Sequence, residues 1–144
     1  MNIPDLQAFA GRHPILLLAL AALTLAILFN EFAALFRGFK GLGPAALTAL
    51  VNRDNALVVD LRPQADFEKG HIPGSRNVQM SQFDPENKQL VAARALPVVL
   101  VCKAGQTSSA AATRLRKAGF EHVYVLDGGI GAWQAADLPL AKGR

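Results

Sequence analysis

The sequence predicts an α/β protein, a parallel sheet with helices on both faces, preceded by one N-terminal transmembrane helix. Three observations carry that reading. A charge-free apolar run, "PILLLALAALTLAILF", fills residues 14–29. Beyond it, the short apolar stretches "ALVVD", "PVVLV" and "HVYVL" alternate with helix-like segments. Continuous apolar strands between helices are the mark of a parallel sheet covered on both sides. Finally, the only cysteine, Cys102, closes one of these strands just before a glycine-bearing loop and an alanine-rich segment.

Taken in order, residues 1–13 form a short N-terminal segment and residues 14–36 the transmembrane helix. A spanning helix needs roughly 17–25 apolar residues, and "FAALF" extends the run past Asn30 and Glu31 to Phe36. A buried core helix would show a polar face, and Thr24 is the only polar residue up to Phe29. A cleaved signal peptide would end at a small-x-small site, but Glu31 and Phe32 stand where cleavage near Ala33 or Ala34 needs a small residue. The flanks set the orientation. Asp5 and Arg12 cancel before the run, whereas Arg37, Lys40 and Arg53 follow it before the first acid, Asp54. An excess of Lys and Arg marks the cytoplasmic side. The expectation is therefore a single-pass protein of the inner (cytoplasmic) membrane with its C-terminal domain in the cytoplasm. A lone thiol suits that reducing compartment.

Residues 37–43, "RGFKGLG", read as a linker, and residues 44–144 as one domain. Pro44 suits the first turn of a helix, "PAALTALVNR". "ALVVD" is a buried strand ending at Asp60. A polar stretch with the turn "HIPGS" leads to a short extended piece at Asn77–Val78. A helix is expected within "DPENKQLVAARAL", then the strand "PVVLV" and a helix beginning near Ser108. Arg114, Arg116 and Lys117 in its last turn suit the dipole, with Gly119 as the cap. "HVYVL" is the final strand, and "GGIGAWQAADLP" a glycine turn and short helix.

The position of Cys102 is the functional clue. Open α/β sheets do their chemistry at the carboxyl ends of strands. A thiolate at the N-terminus of the following helix meets unpaired N–H groups and a positive dipole end, which lower its pKa. Gly105 lets the loop curl closely, and Lys103 adds positive charge. A purely structural thiol closing an apolar strand is the plainer alternative.

The segment "CKAGQTS" resembles the active-site loop of the rhodanese family, in which a strand-ending Cys opens a short cradle before a helix. "VVDLRPQADFEKGHIPGSRNV" is similar to the family's N-terminal signature, and "VYVLDGGIGAWQAADLPL" to its closing one. Together the three cover about residues 44–140. The resemblance implies a sulfurtransferase in which Cys102 takes a sulfane sulfur from a donor such as thiosulfate and passes it, as a persulfide, to a thiol acceptor. It implies a cradle made by Lys103, Ala104, Gly105, Gln106 and Thr107. Asp60, Arg62 and His71 then organise loops near the site rather than act in the chemistry. Many relatives close the loop with Arg, and this chain has Gln106-Thr107-Ser108 there, which leaves the particular anionic donor open.

Other function classes are less well supported. A phosphatase or arsenate reductase needs an Arg to clamp its oxyanion, and none closes this loop. A non-catalytic, membrane-tethered adaptor on the same fold is the main alternative, opposed by the intact cysteine loop. His13 and His122 have no sequence partners, so no metal is expected. Gly128 and Gly129 are too sparse for a dinucleotide fingerprint, Trp133 reads as core, and no cofactor is expected. The segment after Phe36 carries 14 Lys and Arg against 9 acids, which suits an anionic leaflet or substrate. Without aromatic–basic interleaving, nucleic acid is not an expected partner. The expected partners are a small sulfur donor, a thiol acceptor and the membrane, with any protein partner unnamed.

Overall fold

The computed structural model describes residues 2–144. The chain divides into two compact units, one ending at Arg37 and the other running from Gly38 to Arg144.

The first unit is helical. Helix α1 (Ile3–Arg12) opens with a capping box between Asn2 and Asp5, which the sequence reading left as a plain terminal segment. Helix α2 (Pro14–Leu35) has 22 residues, a mean hydropathy of 2.3 and no buried residue. It is long and apolar enough to cross a membrane. Pro14 stands in its first turn, where a missing N–H costs nothing.

The second unit is a five-stranded, wholly parallel sheet of β1 (Lys40–Leu42), β2 (Leu57–Asp60), β3 (Arg76–Asn77), β4 (Val98–Val101) and β5 (Val123–Leu126), in the order β1-β5-β4-β2-β3. Its centre is β2, β4 and β5. Alternate residues of β4 serve opposite faces, as a pleated strand requires. Val98 and Leu100 join a core with Leu90, Ala111, Leu115 and Phe120. Val99 and Val101 join a second core with Leu47, Ile130 and Trp133. Thus α5 (Lys88–Val91) and α6 (Gln106–Lys117) cover one face, and α3 (Pro44–Asp54) and α7 (Gly129–Ala135) cover the other.

Helix α6 ends as its sequence implies. Phe120 N–H bonds Leu115 O and Gly119 N–H bonds Arg116 O, with Gly119 at φ +94°, which is the Schellman arrangement. Arg116 also donates to the carbonyls of Phe120 and Glu121.

The structure differs from the sequence reading in four places. Residues 37–43 are not merely a linker, because Lys40–Leu42 form β1 and pair in register with Tyr124–Leu126 of β5. Gly41 is tolerated there because its missing side chain leaves room for the Asp127 carboxylate, which a Cβ would strike. The polar stretch before "HIPGS" contains α4 (Gln64–Lys69), too short to show a period. The extended piece lies one residue earlier, as β3 (Arg76–Asn77). The helix expected near Ser108 begins two residues sooner, at Gln106, with Gly105 as its N-cap at φ +98°.

Candidate active site

Cys102 follows the last residue of β4, and its backbone is fixed from the far side. Ile130, in the first turn of α7, donates its amide to the Cys102 carbonyl at 2.8 Å. Gly129 lies directly against that carbonyl and the Lys103 backbone, where any Cβ would collide. Only glycine meets both demands, because Gly129 also has φ +61°.

The chain then turns back over the sulfur. Gly105 donates its amide to Cys102 Sγ at 2.9 Å, and Ser108 Oγ lies 3.0 Å from the same atom. Ser108 is the third residue of α6 and wholly buried, and its hydroxyl is also 3.3 Å from Gly105 O. Because a thiolate has no proton, the Ser108 hydroxyl is the donor whenever the sulfur is charged. Burial pushes the thiol up. The Ser108 hydroxyl and the amides of Ser108, Gly105 and Ala104 outweigh it, so Cys102 sits below its ordinary pKa. This is the electrostatic setting that makes a cysteine nucleophilic.

Of the five residues expected to form the cradle, Ala104 and Gly105 face the sulfur with their amides. Lys103 and Thr107 instead line the cavity above it. Among the described residues, Lys103, Gln106 and Thr107 make no hydrogen bond to Sγ; Gln106 and Thr107 open α6, whose early start turns the third-residue amide of Ser108 inward instead. Ser108 is the contributor missing from the expected set. The sequence admits it only as one of the loop hydroxyls able to hydrogen-bond to the site, six positions after the cysteine and in the first turn of α6.

The cavity has a volume of about 300 Å³. Leu61, Pro63 and Met80 supply its apolar part, Gln79 and Ser81 a polar edge, and Arg62 and Lys103 its cations. Among the described residues no carboxylate lines it. It is therefore a small, positively biased pocket with the sulfur at its base.

Asp60 and Arg62 form one unit beside it. Asp60 is 1% exposed, and the Arg62 guanidinium grips both its carboxylate oxygens at 2.8–3.1 Å. Arg62 also donates to Gly70 O at 2.7 Å, and Asn77 Nδ2 bonds the carbonyls of Asp60 and Arg62. These bonds hold the segment after β2 against the cavity. His71 orders the adjoining loop, next to Gly70, whose carbonyl Arg62 holds. Its ring stacks on Phe67 at 3.7 Å, its Nδ1 donates to Phe67 O, and its backbone pairs with Ala141. It does not line the cavity. Among the described residues no cluster of His, Cys, Asp and Glu suits a metal ion.

Comparison with known proteins follows the same outline. Residues 43–136 match the family model described as "Rhodanese-like domain". The chain is 39% identical over 141 residues to the uncharacterized protein YibN of Escherichia coli (strain K12), covering 97% of this chain and 99% of that protein. It is 35% identical over 103 residues to the thiosulfate sulfurtransferase GlpE of Pseudoalteromonas translucida, covering 68% of this chain and 91% of GlpE. Among solved structures, a thiosulfate sulfurtransferase from Pseudomonas aeruginosa aligns with a TM-score of 0.64 at 30% identity over 72% of this chain. This chain spans only 19% of that one.

Proposed function

The chain belongs to the rhodanese-like domain family, and from that premise we propose that it is a membrane-anchored sulfurtransferase with Cys102 as its nucleophile. One observation carries the reading: the Cys102 sulfur accepts the Gly105 amide at 2.9 Å and lies 3.0 Å from the Ser108 hydroxyl, at the base of a cavity bearing Arg62 and Lys103.

The chemistry follows in two steps. In the first, the Cys102 thiolate attacks the sulfane sulfur of a donor such as thiosulfate. A bond forms between the two sulfurs, the donor's own S–S bond breaks, and sulfite departs with the electron pair. In the second, an external nucleophile attacks the outer sulfur of the persulfide and the thiolate returns. The amides of Ala104, Gly105 and Ser108 meet negative charge on the sulfur in both resting states, so they need little rearrangement between steps. Lys103, in no ion pair among the described residues, suits an anionic donor, whereas Arg62 is largely occupied by Asp60 and Gly70.

The N-terminal unit supports an anchor in the inner membrane, with the Cys102 domain on the cytoplasmic side by the flanking charges Arg37, Lys40 and Arg53. The test is turnover by the purified full chain in detergent. Thiocyanate should form from thiosulfate and cyanide, Cys102→Ser should form none, and an aryl phosphate should not be hydrolysed. Sulfur transfer undiminished in Cys102→Ser would remove Cys102 from the mechanism.

A further inference from the structure

Helix α1 has no part in the sulfur chemistry, yet it is built with a pronounced apolar side. At about 100° per residue, Ile3, Leu6, Phe9, Ala10 and His13 fall within one arc of about 120°, with Asp5 at its edge and Ala8 and Arg12 on the far side. No residue of the apolar side is buried. Ile3 is 76% exposed, Leu6 53% and Phe9 48%.

Two lengths decide what covers it. Helix α2 has 22 residues, or about 33 Å at 1.5 Å per residue, against about 30 Å of bilayer hydrocarbon. A spanning α2 therefore uses the whole thickness and leaves none for α1. A single residue, His13, separates the two helices, at φ −131° and ψ 59°, with Pro14 next. His13 is thus a non-helical break at the end of the span, and α1 ends there without a linker. The Phe9 and His13 rings lie 4.6 Å apart beside that break, and a His ring, with its apolar body and polar tip, suits the same depth.

Stability points the same way. An isolated helix of 10 residues is marginal in water, below the roughly 12–15 residues needed. It is also shorter than the three or four heptads that a coiled-coil seam with a second copy requires. We propose that α1 is an interfacial helix, lying along the bilayer that α2 enters with Ile3, Leu6, Phe9 and Ala10 immersed at the boundary with the acyl chains. This rests on the reading of α2 as a membrane span. The side-chain charges of Asp5 and Arg12 cancel, so apolar burial rather than attraction to anionic headgroups holds the helix, and a zwitterionic bilayer suffices.

The experiment uses the full chain carrying Cys102→Ser, reconstituted in phosphatidylcholine vesicles. Single cysteines placed in turn at positions 3–13, and at Leu20 and Ile27 of α2, carry a nitroxide spin label. Collision with oxygen reports lipid, and collision with a water-soluble nickel chelate reports solvent. The expected result is a helical period along α1, with several-fold lower nickel access at positions 3, 6, 9 and 10 than at 5, 8 and 12. The α2 labels should be shielded throughout. Uniformly high nickel access along α1 with α2 shielded would overturn the interfacial helix and leave the span standing. Shielding of α1 that disappears as the protein is diluted into excess lipid would mean that a second copy covers it. Nickel access at Leu20 and Ile27 would overturn the span itself.

Discussion

The carbonyl of Cys102 accepts the amide of Ile130 at 2.8 Å, so the backbone of the proposed nucleophile is held by the helix that closes the domain. The hydrogen bond exists because Gly129, one residue earlier, has no side chain and sits at φ +61° against that same carbonyl. The closing glycine turn is thus a support for the Cys102 loop.

Gly129→Ala should therefore be costly and Gly131→Ala should not. The first adds roughly 1–2 kcal/mol of left-handed backbone strain to a direct clash with the Cys102 carbonyl. A loss of about 2–4 kcal/mol is expected, with sulfur transfer lost alongside. Gly131 lies within α7 with ordinary backbone geometry, and its nearest contact would be Lys103 O at 3.9 Å. Alanine there should be neutral or stabilising by up to ~1 kcal/mol. Thermal unfolding of the pair measures both.

The Ser108 hydroxyl is assigned to the thiolate, and its removal has a pH signature. The folded pKa of Cys102 lies below its unfolded value. The thiolate therefore adds stability that is fully present above the unfolded pKa and is lost as pH falls through the folded one. In Ser108→Ala, the midpoint of iodoacetamide alkylation should move to higher pH, toward that of a free thiol. Transfer at neutral pH should fall about tenfold, the equivalent of losing ~1.5 kcal/mol of hydrogen bonding to a charged atom. An unmoved midpoint would take Ser108 out of the site's electrostatics.

Arg62→Lys should destabilise the domain although the charge is kept. Lysine cannot reproduce the fork that grips both Asp60 oxygens and also reaches Gly70 O. Asp60→Ala, which strands a mostly buried guanidinium, should cost more, about 3–5 kcal/mol. Denaturant unfolding separates the two. If Arg62→Lys keeps its stability but raises KM for thiosulfate, Arg62 is a donor contact and its structural assignment falls.

Much of this was readable beforehand, and the omissions have physical causes. The strands at Val98–Val101 and Val123–Leu126 announce themselves because burial on both faces forces unbroken branched residues. Strand β1 does not. Lys40–Leu42 has neither alternation nor strand-forming composition, and its pairing depends on the free edge of β5. The place of Cys102 was legible because one thiol stood at a strand's end. Leu61, Met80 and Ser81 were not, because they reach the cavity from segments after β2 and β3 whose course is set by the Asp60–Arg62–Asn77 hydrogen bonds. Ser108 fell outside the expected cradle because the helix began two residues early.

Topology is open to a labelling experiment. In intact cells, an impermeant maleimide should leave Cys102 unmodified until the inner membrane is opened. Modification in sealed cells would reverse the orientation drawn from Arg37, Lys40 and Arg53.

The most direct measurement is the intact mass of the full chain after incubation with thiosulfate and removal of the donor. Cys102 is the chain's only cysteine, so no second thiol within the chain can attack the persulfide, and the charged sulfur should persist. The mass should rise by one sulfur atom, stay unchanged in Cys102→Ser, and return to its starting value when a dithiol is added, with sulfide released. A mass that never changes with any sulfane donor, while Cys102→Ser still performs the cellular role, would contradict the account and make the domain a membrane-tethered adaptor.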